Sequence, residues 1–160
     1  MASKLRYWLF KSEPSAFSID DLAASPEQTA LWDGVRNYQA RNFLRDDVAL
    51  GDLVLFYNSR EEPLGVAGTM KIAKAGYPDP KQFDPSSKYF DAKSPADAPR
   101  WTGVDVRLIQ KFPAVVSREQ LGADATCAAM MVMKRGMRLS IQPVTREEWL
   151  AVHKLAGVRP

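Results

Sequence analysis

Leu53-Val54-Leu55-Phe56-Tyr57-Asn58-Ser59 is the stretch on which the fold turns. An unbroken apolar run that closes on two polar residues predicts a strand covered on both faces for most of its length and turning polar at its end. Side-chain alternation sets Tyr57 and Ser59 on the side of Leu53 and Leu55, and Asn58 on the other. The following segment, Gly65 to Ala75, predicts a second strand, and its glycines at 65 and 68 predict bending of the kind a small barrel requires.

Toward the N-terminus, Tyr7 to Phe10 is an aromatic, apolar run ended by Lys11, Ser12, Glu13 and Pro14. It predicts a first strand, halted by a proline that cannot donate to a ladder, with Ser12 at the strand mouth. Ser18 with Asp21 three residues later predicts a short helix over Ser18 to Ala24; the helix dipole explains Asp20 and Asp21 better than acid–base chemistry does. Trp32 to Asn42, WDGVRNYQARN, combines one Trp, one Tyr, two Asn, one Gln and two Arg. Flat faces, amides and guanidinium forks suit a planar ligand such as a nucleobase with its backbone. A helix is predicted from Arg36 to Val48, with Ala40, Phe43, Leu44 and Val48 as its buried stripe and Tyr38, Arg41, Asn42 and Arg45 on the opposite side.

Toward the C-terminus, Tyr77 to Trp101 holds five prolines among Tyr77, Phe83, Tyr89, Phe90 and Trp101, which predicts a long ordered loop with a functional role rather than a linker. Val104 to Ile109 alternates as a strand with one wet face. Ser117 with Gln120 opens a helix, and Met130, Met131, Met133 and Met137 are expected to fill core gaps. In Arg138 to Gln142, Leu139 and Ile141 point one way and Arg138, Ser140 and Gln142 the other, as either a solvated outer face or a pocket lining. Thr145 with Glu148 caps a last helix whose apolar face is Trp149, Val152, His153 and Ala156, stopped by Gly157.

At 160 residues the chain suits one domain, 1–160, with a single core. Lysines and arginines outnumber acids by 22 to 19, a mild basicity compatible with nucleic acid. Cys127 is the only cysteine, which excludes an internal disulfide and points to a reducing cytosol, or to the nucleus in a eukaryote. The run Tyr7 to Phe10 is too short for a signal peptide or a membrane span, so no membrane partner is expected. His153 is the only histidine and Cys127 sits in apolar TCAAMMVM, so neither a triad of the common kind nor a standard zinc set can be assembled. No phosphate-cradling glycine motif occurs, and the expectation is a protein without cofactor, metal or catalytic constellation.

Five blocks carry a resemblance: YWLFKSEP at Tyr7 to Pro14, WDGVRNYQARN at Trp32 to Asn42, GDLVLFY at Gly51 to Tyr57, YPD at Tyr77 to Asp79, and RLSIQPVT at Arg138 to Thr145. In this order and spacing, over nearly the whole chain, they resemble the EVE domain family. The resemblance implies an α+β, PUA-like fold, a small, mostly antiparallel β-barrel with short helices around it. It also implies a module that reads a modified nucleobase, in DNA or RNA, flipped into an aromatic and polar pocket. The nucleic-acid partner would be single-stranded or have the base extruded. Carried over to this sequence, the candidate site residues are Ser12, Trp32, Asn37, Tyr38, Arg41, Asn42, Tyr57, Asn58, Ser59, Arg138 and Ser140. Asn58 departs from the family, which commonly has His after the strand-end tyrosine, and an amide cannot be protonated near neutral pH. Trp32 or Tyr57 would stack on the base, Ser12, Asn37 and Ser59 would read its edge, and Arg41, Arg45 and Arg138 would hold phosphates, with the loop Tyr77 to Trp101 at the entrance. Two other classes stay open: an enzyme acting on RNA or a nucleotide-like small molecule, and a protein-interaction module that kept the fold.

Overall fold

The structure is a computed structural model that describes residues 5–160; residues 1–4 lie outside the described residues. Six strands form one sheet: β1 (Tyr7–Ser12), β2 (Thr29–Trp32), β3 (Leu53–Asn58), β4 (Gly65–Pro78), β5 (Thr102–Ser117) and β6 (Ile141–Val144), in the order β2-β5-β4-β3-β1-β6. Four α-helices accompany it among the described residues: α1 (Ile19–Ala24), α2 (Tyr38–Asn42), α3 (Arg118–Ala123) and α4 (Arg146–Ala156). β1 and β3 run parallel, with Tyr7 beside Leu53 through Ser12 beside Asn58. The other pairings are antiparallel.

Strand β3 is the hinge of both layers. Val54 and Phe56 join Trp8, Phe10, Trp32, Leu44, Met70 and Ile72 on one face of the sheet, while Leu55 and Tyr57 join Leu9, Val66, Phe112, Leu121, Trp149 and Val152 on the other. Val54, Leu55 and Phe56 are fully buried, and at about 1.5–3 kcal/mol per side chain this one strand stabilises both layers at once. The three helix starts read from the sequence carry reciprocal capping boxes, Ser18 with Asp21, Ser117 with Gln120 and Thr145 with Glu148. Helix α4 ends at Gly157 in the left-handed conformation, φ 74°.

The closed barrel is corrected to an open sheet, because the edge strands β2 and β6 are not paired with each other. Each has four residues against sixteen in β5, too little backbone for a closing ladder. The predicted bending is nonetheless present. The β4–β5 pairing shifts register between Val66 and Gly68, and again further along. Gly65, at φ +140°, brings its backbone against the Val116 carbonyl, where a Cβ would have no room.

Several boundaries also move. The helix expected from Arg36 is shorter, because Asn37 is extended and caps it, its Oδ1 accepting from Ala40 N at 3.0 Å. After Asn42 the backbone widens into a π turn over Phe43–Asp47. Strand β2 was not anticipated, and β5 runs well past Ile109. Arg138 to Gln142 becomes strand only at Ile141, and Gln142 is buried with its Nε2 donating to Leu139 O at 2.8 Å rather than extending a polar row. Met130 fills the core as expected, whereas Met137 lines the cleft described below. Cys127 is a buried free thiol, pushed up to about 12 by burial and by the neighbouring Asp124 carboxylate.

His153 is buried, with Nδ1–H donating to Trp149 O at 2.7 Å and Nε2 without a partner among the described residues. Burial holds its pKa below the ordinary 6.5, since a second proton would have no acceptor. The unfolded chain therefore binds that proton more readily. Stability is expected to be full above about pH 6.5 and to fall as pH drops through the lower folded value. Urea melts at pH 8 and pH 5 measure this, and His153→Phe should show a smaller loss between the two pH values than wild type.

Candidate functional site

The parallel pair ends in step, with Ser12 and Asn58 as register partners and Ser59 N donating to Ser12 O at 2.9 Å. Beyond this point β1 turns toward α1 and β3 turns toward β4, and the chains part. At this end of the sheet lies a cleft of about 1170 Å³, bounded by Lys11, Ser12, Tyr57 and Ser59, by the segment 33–37, by Tyr89 and by the segment from Val132 to Ser140. A parallel pair requires a crossover between its strands, and here the crossover carries β2 and α2 past the strand ends, so the segment 33–37 is delivered to the cleft by topology.

One guanidinium fixes the wall that contains Tyr89. Arg36 Nη1 lies 2.9 Å from Asp79 Oδ2, and the Asp79 carboxylate is completely buried. Arg36 Nε and Nη2 donate to Tyr89 O at 3.2 and 2.8 Å, and the guanidinium carbon sits 5.4 Å from the centroids of both Tyr89 and Trp101. Asp79 also accepts from Gly34 N and Lys81 N. Gln82, buried in the same loop, accepts from Ser94 and Trp101 N and donates to Asp79 O and Trp101 O. The proline-rich loop is therefore ordered by buried polar groups with satisfied hydrogen bonds, as its aromatic content predicted. Gly34, at φ +77°, leaves room for the Tyr89 ring, which a Cβ there would meet at 2.5 Å. Gly34→Ala is expected to leave the sheet folded but displace Tyr89, read as an unchanged strand signal by circular dichroism with altered tyrosine fluorescence.

The charge of the cleft is one-sided. Lys11, Arg36, Arg60, Lys88, Arg118, Lys134 and Arg138 line it against Glu13 and Asp33. The whole chain has an excess of only three positive charges, so the basic excess is concentrated at the cleft. Lys11 is half-buried, its Nζ donating to Met137 O at 3.3 Å. Burial, with Arg118 and Arg60 nearby, holds its pKa below 10.5. Arg118 Nη1 donates to Val132 O at 3.2 Å and to Tyr57 Oη at 3.4 Å. Asp33 is shifted the other way, raised above 3.8 by burial and by Asp79. Lys11 and Arg118, two half-buried cations without a carboxylate partner among the described residues, make a receptive surface for anions.

The EVE domain matches residues 6–155. The chain belongs to the EVE domain family. Among curated relatives, mouse thymocyte nuclear protein 1 is 42% identical over 170 aligned residues, covering 96% of this chain and 75% of that protein. A crystal structure of human THYN1 in complex with 5-methylcytosine-containing DNA superposes with a TM-score of 0.87 at 40% identity, covering 97% of this chain and 99% of that one. The YTH domain of Zygosaccharomyces rouxii MRB1, at 14% identity and TM-score 0.52, covers 97% of this chain and 89% of that domain and shares the fold.

Within the EVE domain, the candidate residues divide. Ser12, Trp32, Asn37, Tyr57, Ser59, Arg138 and Ser140 line the cleft. Ser12 Oγ already donates to Phe17 O, and Asn37 Oδ1 is taken up by the helix cap. Trp32 and Tyr57 are only 7% and 3% exposed, and Trp32 is packed against Phe10, Phe56 and Phe17 at centroid distances of 5.5, 5.5 and 6.1 Å. Each therefore forms floor rather than an open stacking face. Asn58 turns to the other side of the strand, with Nδ2 donating to Pro63 O. Tyr38, Arg41 and Asn42 do not line the cleft: Tyr38 stacks on Trp101 at 4.8 Å, and Arg41 lies over Tyr38 and donates to Arg100 O. Arg45 pairs with its neighbour Asp46 on the exposed surface.

Lys11, Asp33, Gly34, Arg36, Tyr89 and Arg118 join the cleft without having been singled out from sequence. Lys11 and the segment 33–36 sit inside quoted family blocks, so a signal existed for them. Tyr89 lies in the aromatic, proline-rich loop that the sequence placed at the entrance, whereas Arg118 comes from a position with no local pattern that marks it.

Proposed function

We propose that this EVE domain binds methylated DNA and takes the modified base into the cleft at the ends of β1 and β3. The observation that carries this is the concentration of seven basic side chains around a cleft roomy enough for a base with its flanking backbone and walled by an aromatic ring, in a chain 40% identical to a protein whose crystal structure holds 5-methylcytosine DNA. Tyr89, less buried than Trp32 or Tyr57, is the cleft ring assigned to the base, a contact worth about 1–3 kcal/mol. Arg60, Lys134 and Arg138 are exposed at the cleft and suit flanking phosphates, which carry affinity without sequence information. Extrusion from a duplex costs a few kcal/mol, so single strands are expected to bind more tightly than the matched duplex.

Fluorescence anisotropy with labelled oligonucleotides tests this. The expected result is tighter binding to a strand with one 5-methylcytosine than to the same strand with cytosine, and an affinity that falls linearly with the logarithm of salt concentration. Equal affinity for the two strands would overturn base recognition, and a flat salt dependence would overturn the phosphate contacts.

A further inference from the structure

Asp33 is out of place in a cleft built for a polyanion. It lines the cleft between the end of β2 and Gly34, half-buried, where a carboxylate repels the phosphates that the surrounding cations attract. The other acid of the cleft, Glu13, is paired with Arg60 at 3.4 Å. Asp33 enters none of the ion pairs among the described residues. Its neighbour Arg36 is committed to Asp79 and Tyr89 O. Burial and the Asp79 charge penalise its ionised form by more than Lys81, its own backbone amide and Arg36 offset. A ligand that brings a hydrogen-bond donor to this spot removes the penalty.

We propose that Asp33 selects the base, accepting a hydrogen bond from an exocyclic amine of the cytosine type and turning away bases that carry a carbonyl there. This rests on the base-binding reading of the cleft and adds to it a discriminating residue. The chemistry is that of a carboxylate accepting from cytosine N4. 5-Methylcytosine and thymine share the methyl group but differ at position 4, amine against carbonyl, and at N3, acceptor against N–H donor; a carboxylate facing the 4-carbonyl leaves two acceptors opposed. Amines of adenine offer the same donor, so the selection is against keto pyrimidines.

The test compares one single-stranded oligonucleotide carrying 5-methylcytosine or thymine at the same position, bound to wild type and to Asp33→Asn. Wild type is expected to favour 5-methylcytosine by about tenfold or more, the usual scale for one edge contact. In Asp33→Asn the ratio should shrink at least severalfold, because an amide offers both a donor and an acceptor. Using the ratio cancels the general gain in affinity from removing a negative charge. A second arm leaves the protein untouched: wild type with a 5-methylpyrimidin-2-one nucleotide, which lacks the amine and keeps the methyl, should bind about tenfold more weakly than with 5-methylcytosine. Equal binding in that arm, or an unchanged ratio in folded Asp33→Asn, overturns the role of Asp33. Wild type that does not distinguish 5-methylcytosine from cytosine overturns the base-binding reading instead, so the two failures are separable.

Discussion

Arg36→Met is expected to destabilise the fold by about 3 kcal/mol and to weaken oligonucleotide binding by more than its lost charge explains. Removing one partner of a buried ion pair leaves the other charge uncompensated, at about 3–5 kcal/mol. The lower end applies because Gly34 N and Lys81 N still donate to Asp79. The same guanidinium holds Tyr89 O, so its loss releases the cleft wall as well. Urea denaturation and anisotropy measure the two effects. Arg36→Met with Asp79→Asn should recover part of the stability, because the stranded charge is gone, but not the affinity, because Tyr89 stays untethered. Additive losses in the double variant would show that the two side chains do not act as a pair.

Trp32→Ala is expected to cost about 3–5 kcal/mol, the range for truncating a large buried aromatic. The indole is packed among Phe10, Phe17 and Phe56, and a void there lies directly under the cleft. Binding should fall together with thermal stability. Trp32→Phe separates floor from platform: it keeps a ring in the cluster, and retained affinity at near-normal stability is the expected result. A large loss of affinity in stable Trp32→Phe would show that the indole itself stacks on the base.

These two residues also show how far local sequence reaches. WDGVRNYQARN announced a planar-ligand site from its inventory alone, yet its residues went to different tasks. Trp32 became floor, Asp33 and Gly34 became wall, Arg36 became a tether, Asn37 a helix cap, and Tyr38 and Arg41 a stack on Trp101 outside the cleft. The inventory did not separate them. Helical spacing put Tyr38, Arg41 and Asn42 on one shared side, and they share it, Arg41 lying over Tyr38 and donating to Asn42 Oδ1, but that side meets Trp101 rather than the cleft, because the segment bends from extended to helix to π turn within a dozen residues.

What the sequence determined by itself is whatever depends on neighbours a few residues apart: the twice-covered strand, which runs Leu53 to Asn58, the three capping boxes, the glycine stop at Gly157 and the buried Cys127. Each follows from a local period, a side chain reaching its own backbone, or an apolar run that excludes water. The family blocks added the fold by likeness. Only the tertiary structure decided that the sheet stays open, that Tyr89 and Arg118 join Lys11 and Ser140 at the ends of β1 and β3, and that Asp33 stands among cations without an ion-pair partner among the described residues. Those facts depend on strand order and on long crossings of the chain, and a pairing between residues a hundred positions apart leaves no period to read.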